Sequence, residues 1–304
     1  MKIALCFWGL TRSLKYTNKS IQDKILKILK NANIEYKIFL HTYKFKSNYY
    51  NPRAKEVGLT LDFNDYKLLN ADYIQLDDQD EVKKHLNMQK YRTNPDPWDT
   101  NYVSVDNFIC AMYSKMQLGK MLENSGEQFD RVIFLRPDVK YLNNFEISFL
   151  SLVNHNTICI PNFHLYPDFN DRFCISNYKN ALVYCNLFEK MLDYSKTMPL
   201  HSERFQSYFL KKIYNLNVKL IPFYFNRVRT NGLIELDYTA YNTPTSNILL
   251  NKMSFQSITS PKPKPPILPS KPNTNAKIVK PSFTINHYKK DYVKPFHKLN
   301  TMRL

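Results

Sequence analysis

Arg136-Pro137-Asp138 is where this chain concentrates its chemistry. The four residues before it, Val132-Ile133-Phe134-Leu135, are all apolar and two are β-branched, so they read as a buried strand. Pro137 ends the ladder there, because it has no N–H to donate. Ligands of open α/β sheets bind beyond the carboxyl ends of the strands. A carboxylate held at that point, Asp138, can meet a metal ion or a sugar hydroxyl. The plainer alternative is a solvated aspartate in a strand-to-loop turn.

A second segment carries the same kind of signal. Lys2-Ile3-Ala4-Leu5-Cys6-Phe7-Trp8-Gly9-Leu10-Thr11-Arg12 is an apolar strand running into a glycine and then an arginine. Only 5 of the 304 residues are Gly, which gives weight to Gly9 at a strand end. Glycine lets backbone approach a ligand without a Cβ in the way, and arginine offers a planar fork to phosphate oxygens. Ile21, Ile25, Ile28 and Leu29 then recur at helical spacing behind the candidate caps Thr17 and Asn18. A β-loop-α start of this kind can hold a nucleotide diphosphate; an ordinary turn with a surface arginine is the competing reading.

The elements that must position these residues follow from pattern. Strands are expected near 2–7, 36–40, 72–76, 131–135, 157–160, 172–176 and 218–224, and helices near 18–31, 80–88, 104–123, 178–194 and 202–214. Their alternation predicts an α/β sheet, mixed and mostly parallel, flanked by helices. Phe108, Ile109, Met112, Met116 and Leu122 form an apolar stripe on the 104–123 helix, and that stripe is core. Residues 43–70 and 89–103 read as loops.

Composition sets the outer bounds. A hydrophobic content of 43% and an aromatic content of 14% describe a folded chain. No run of about 18 apolar residues predicts a membrane span, and the N-terminus enters a strand with no signal-peptide pattern. The 5 cysteines are odd in number and form no CxxC pair, which argues against structural zinc and for a reducing, cytoplasmic setting. The formal charge is +17, yet residues 251–304 hold 11 Lys/Arg against one acid and so carry +10 of it. That stretch includes Pro261, Pro263, Pro265, Pro266, Pro269 and Pro272, the composition of an extended basic linker and tail. The expected organisation is one domain over 1–250 followed by this tail.

Absent motifs narrow the field. There is no GxxxxGK[ST], no GxGxxG, no GxSxG and no HExxH. Phosphoryl transfer on a P-loop, a dinucleotide site, a hydrolase elbow and a zincin are thereby set aside.

Taken in order, several segments resemble a group of GT-A-like nucleotide-sugar glycosyltransferases of bacteria and large DNA viruses. Lys2 to Arg12 matches an opening of the type KIALCxxGxxR. Phe39-Leu40-His41-Thr42-Tyr43 matches the end of a second strand, and Tyr113-Ser114 matches a helix packed under the site. Phe129-Asp130 through Tyr141 matches a segment built around RPD. Asp171-Arg172-Phe173, Tyr184 to Phe188, His201-Ser202-Glu203 and Arg227-Val228-Arg229-Thr230-Asn231-Gly232 follow in the group's order.

The resemblance implies a GT-A-like fold and transfer of a sugar from a nucleotide-sugar donor to a glycan or glycoconjugate acceptor. It implies donor contacts from Phe7, Gly9, Thr11, Arg12, His41, Tyr113, Arg136 and Asp138. Mn2+ or Mg2+ would sit on Asp138, with His287 of the tail as a further metal or phosphate ligand. The group's usual pair of carboxylates is Arg-Pro-Asp here, so either Asp138 binds the metal alone or Arg136 takes over part of the charge neutralisation. Glu203 is the expected base, placed in the first turn of a helix where the dipole stabilises a carboxylate, with Asp171 as the runner-up. The location implied is the cytoplasm, that of an infected host cell included. Two other classes stand beside this reading: a non-catalytic nucleotide- or glycan-binding protein, and a nucleic-acid binder using basic and aromatic surface. The concentration of charge in the tail argues against nucleic acid.

Overall fold

The first strand, β1 (Lys2–Trp8), dictates the layering. Ile3, Leu5 and Phe7 join one hydrophobic cluster, while Ala4, Cys6 and Trp8 join another. Successive side chains of a strand point to opposite faces, so a strand apolar at every position from Ile3 to Trp8 must be covered on both sides. The computed structural model describes residues 1–45, 48–237 and 277–278.

After β1 come α1 (Leu14–Ile21), a π-type turn at Gln22–Leu26, α2 (Lys27–Asn31) and β2 (Glu35–Lys44). The hairpin β3 (Tyr49–Asn51) and β4 (Glu56–Leu59) precedes β5 (Tyr73–Asp78), α3 (Gln79–Leu86) and the long α4 (Val103–Asn124). Next are β6 (Arg131–Leu135), β7 (Val139–Tyr141), β8 (Thr157–Pro161) and β9 (Cys174–Ser176). Three helices, α5 (Tyr178–Asn186), α6 (Met191–Ser195) and α7 (Ser202–Ser207), lead to β10 (Asn217–Ile221), β11 (Phe225–Val228) and β12 (Ile234–Glu235). The last described element is β13 (Lys277–Ile278).

The main sheet has the order β10-β8-β9-β6-β1-β2-β5-β13. Every pairing in it is parallel except those of β9 with β6 and β8. The expected mixed, mostly parallel sheet flanked by helices is therefore present. The helix begun by α1 covers one face with Leu14, Ile21, Ile25 and Leu29, and α4 to α7 cover the other. A small second sheet, β12-β11-β7, stands beside the end of β6.

α4 is buried on nearly all sides, which is why its apolar residues extend beyond one stripe. It lies close to α5: a Cβ built on Gly119 would come within 2.7 Å of the Cβ of Cys185. All five cysteines are free and buried.

Several expectations are corrected. The first helix begins at Leu14, so Thr17 and Asn18 lie inside it and cap nothing. Thr17 instead donates its hydroxyl to the carbonyl of Pro137 at 2.5 Å, tying the helix to the Arg-Pro-Asp loop. The strand expected at 218–224 ends at Ile221, before Pro222, and the next strand, β11, starts at Phe225 in the other sheet. The supposed loop over 43–70 contains the hairpin β3–β4. The helix expected over 178–194 is interrupted by a 3-10 turn at Leu187–Lys190. Among the described residues no helix is long and apolar enough to cross a membrane. The expected boundary near 250 and His287 lie outside the described residues; of the tail, Lys277–Ile278 pairs in parallel with Tyr73 and Ile74 of β5.

Candidate functional site

The carboxyl ends of β1 and β6 open into a cleft of about 250 Å³. Trp8 and Gly9 form its floor at the end of β1, and Arg136 and Asp138 reach it from the β6–β7 turn. Tyr49 and Arg53 come from the β3 hairpin, Arg227 from β11, Arg229 from just after it, and Phe108 and Ala111 from α4. Asp171 and Ser202 close the far end.

The floor is fixed by a buried polar chain. Gly9 has φ +90°, where a side chain would be strained, and its N–H donates to Ser114 Oγ at 3.0 Å. Ser114 Oγ lies 2.8 Å from His41 Nδ1, and His41 Nε2 lies 3.1 Å from Asp77 Oδ2. A ring proton on Nε2, donated to Asp77, leaves Nδ1 to accept from Ser114. His41 and Tyr113 are thus supports behind the floor and are not among the residues lining the cleft. Phe7 is in the core, and Thr11 is buried, its carbonyl accepting from Leu14 N at 2.9 Å in the turn that opens α1.

Asp138 is the centre of the charge arrangement. Arg136 grips it with a fork, Nε to Oδ1 and Nη2 to Oδ2, both at 2.7 Å. Arg12 adds a third bond, Nη2 to Oδ2 at 3.0 Å, and pairs through Nη1 with Glu56 at 3.0 Å and with the Tyr49 hydroxyl. Burial alone would raise the Asp138 carboxyl; the two guanidiniums outweigh it and hold it well below the usual carboxylate range. Arg12 is itself buried, so it acts from behind Asp138. The side chains of Arg136, Arg227 and Arg229 keep 21%, 19% and 14% of their surface open. Arg227 is held by Asp237 (2.6 Å) and Glu235 (3.1 Å), and Arg229 by Glu235.

At the far end Asp171 faces the cleft and Glu203 does not. Burial would raise Asp171, but Arg172, Lys115 and Arg136 bring it down, so it is ionised. Glu203 accepts from the Ser202 hydroxyl and lies 3.3 Å from His201 Nδ1. Burial first, and then the charge of Asp171, push it up to about 7. The dipole expected to stabilise an ionised Glu203 is overridden by desolvation.

Sequence reading missed two residues here. Lys115, on the cleft side of α4, donates to the carbonyl of Asp171 (3.1 Å), the Tyr184 hydroxyl (2.7 Å) and Gln206 Oε1 (3.0 Å). It stands 4.4 Å from the ring centres of both Trp8 and Tyr184, and burial lowers it to about 8. A lone lysine inside an apolar helical stripe is the signal that could have found it. Trp8 has Arg136 5.2 Å over its ring, and its buried indole N–H has no partner among the described residues.

Mn2+ or Mg2+ would need hard oxygen ligands with free lone pairs in a negative setting. Asp138 offers little of either: Oδ2 accepts from both guanidiniums and Oδ1 from Arg136, so the carboxylate charge is already neutralised. A dication at Asp138 would also face the guanidiniums of Arg12 and Arg136, which already offset the carboxylate charge. Among the described residues no group of three or more His, Cys, Asp and Glu could hold a metal ion. The described residues do not fit the expected metal.

No family model and no curated protein matches the chain. Among solved structures it is similar to the apo form of mouse xyloside xylosyltransferase 1, at 11% identity and a TM-score of 0.39, over 73% of this chain and 85% of that one. It is also similar to the galactosyltransferase LgtC in complex with donor and acceptor sugar analogs, at 13% identity and a TM-score of 0.40, over 72% of this chain and 73% of that one. Both likenesses are distant, and the functional reading rests on the cleft itself.

Proposed function

We propose that the chain is a glycosyltransferase of the GT-A-like CxxGxxR and RPD group, moving a sugar from a nucleotide-sugar donor to a hydroxyl of a glycan or glycoconjugate. The observation that carries this is the pairing, in one cleft at the carboxyl ends of β1 and β6, of a cationic wall with an ionised carboxylate. Arg136, Arg227 and Arg229 suit a diphosphate, whose oxygens take charge-assisted N–H bonds. Asp171 suits the acceptor, whose hydroxyl must lose a proton as it attacks.

In this reading the acceptor oxygen bonds to the anomeric carbon, and the bond from that carbon to the diphosphate breaks. Its electron pair goes to the leaving phosphate oxygen, against the guanidiniums, and the acceptor proton goes to Asp171. Asp171 thereby takes the base role from Glu203, which stands behind it through Ser202. Lys115 positions the Asp171 backbone through its carbonyl.

The test is release of nucleoside diphosphate from a panel of UDP-, GDP- and dTDP-sugars, with and without glycan acceptors. One donor should be turned over, and Asp171→Asn should remove at least ~100-fold of that rate, the lower end for a general base. Donor binding without turnover would point to a non-catalytic sugar-nucleotide binder.

A further inference from the structure

Building on the donor reading above, we propose that this cleft binds the diphosphate without a divalent cation, Arg136, Arg227 and Arg229 supplying the positive charge a metal would bring. Three independent features point this way. The carboxylate at the end of the central strand is neutralised by two guanidiniums: Arg136 holds both oxygens at 2.7 Å and Arg12 holds one at 3.0 Å. Arg53, Arg136, Arg227 and Arg229 line the cleft beside Asp138, Asp171 and Glu235, while Arg12 is held by Glu56 and Asp138. And the indole N–H of Trp8, 4% exposed, is a buried donor with no partner among the described residues.

The roles of these groups divide by exposure. Asp138 and Arg12 are buried, so they act as a brace that fixes the Arg136 guanidinium over the Trp8 ring at 5.2 Å. Arg136 spends Nε and one Nη on Asp138, which leaves the other Nη free to donate. Asp237 and Glu235 orient Arg227 in the same way, and Glu235 also orients Arg229. An anion entering the cleft meets guanidinium edges already aimed and loses little in ordering them. A carboxylate that in other designs would ligate a metal here holds an arginine instead.

The experiment is titration calorimetry of the full chain with UDP, GDP and dTDP, once in EDTA and once with Mn2+ in excess. At least one nucleotide should bind in EDTA, with a Kd that Mn2+ changes by less than about threefold, well under the tenfold step worth 1.4 kcal/mol. Arg229→Gln should weaken that binding about tenfold or more in both conditions, as the loss of a charged hydrogen bond does. Arg136→Gln frees Asp138 Oδ1 and leaves Oδ2 to Arg12 alone, so its weakened binding should become newly responsive to Mn2+; if that variant does not fold, Arg229→Gln carries the test alone. Binding by the wild-type chain only in Mn2+ would overturn metal independence and leave the donor reading standing. No binding in either condition would overturn the donor reading, and this inference with it.

Discussion

Arg136 binds both carboxylate oxygens of Asp138 from two residues away, and so turns the end of the central strand into a rigid, oriented cation. Asp138 is the anchor of that arrangement and Arg136 the face it shows to the cleft. Asp138→Ala should leave two guanidiniums without their shared partner, at a cost of about 3–5 kcal/mol. Chemical denaturation of the variant beside wild type measures this. A loss below about 1 kcal/mol would mean that the pair contributes little to the fold.

The same pair sets a pH dependence. Because the Asp138 carboxyl is held below its unfolded value near ~3.9, it contributes stability that is fully present above that pH and lost as pH falls. Wild type should lose Tm on acidification below pH ~4 more steeply than Asp138→Asn. Parallel curves for the two proteins would contradict the assignment.

Glu203 has the opposite sign. Its folded value is raised to about 7, so the native state holds a proton that the unfolded chain has already released above ~4.3. Stability should therefore decline as pH rises from ~4.3 through about 7 and then level. Glu203→Gln, which mimics the protonated form, should lack that decline and keep most of the turnover. Loss of turnover as complete as in Asp171→Asn would restore Glu203 as the base.

How much of this was legible differs from residue to residue. β1 could be read directly, because a strand buried on both faces is apolar at every position. Asp138 was found because a proline and an acid after four apolar residues mark a strand end. What stayed hidden was the grip of Arg12 on Asp138, a bond spanning 126 residues that no local pattern encodes. Glu203 shows the same limit from the other side. Its place at a helix start suggested an ionised carboxylate, but burial beside Asp171 is a tertiary fact and outweighs the dipole. The hairpin carrying Tyr49 and Glu56 was missed because strands of three and four residues show no usable alternation.

Lys115→Met fills similar space but leaves the Asp171 carbonyl, the Tyr184 hydroxyl and Gln206 Oε1 without their donor, so it should lose about 1–3 kcal/mol of stability and still fold. It should nonetheless cut turnover by about tenfold or more, because Asp171 loses the charged donor on its carbonyl. The informative readout is kcat, with nucleotide affinity unchanged. Weaker nucleotide binding with normal kcat would place Lys115 on the donor side instead.

Gly119→Ala sets two effects against each other. Helix propensity favours alanine by ~1 kcal/mol, while the new Cβ would meet Cys185 Cβ at 2.7 Å, an overpacking that costs about 1–3 kcal/mol. The net should be destabilising in a thermal melt, and a rise in Tm would show that α4 and α5 can separate freely.

The central claim is that the cleft recognises the diphosphate of a nucleotide sugar. It is tested most directly by thermal shift of the full chain with UDP-, GDP- and dTDP-sugars beside the matching nucleosides and inorganic sulfate. A diphosphate sugar at 100 times its Kd should stabilise the fold by about 2.7 kcal/mol, and nucleosides and sulfate should do far less. No shift with any diphosphate sugar, or an equal shift with sulfate, would contradict the account.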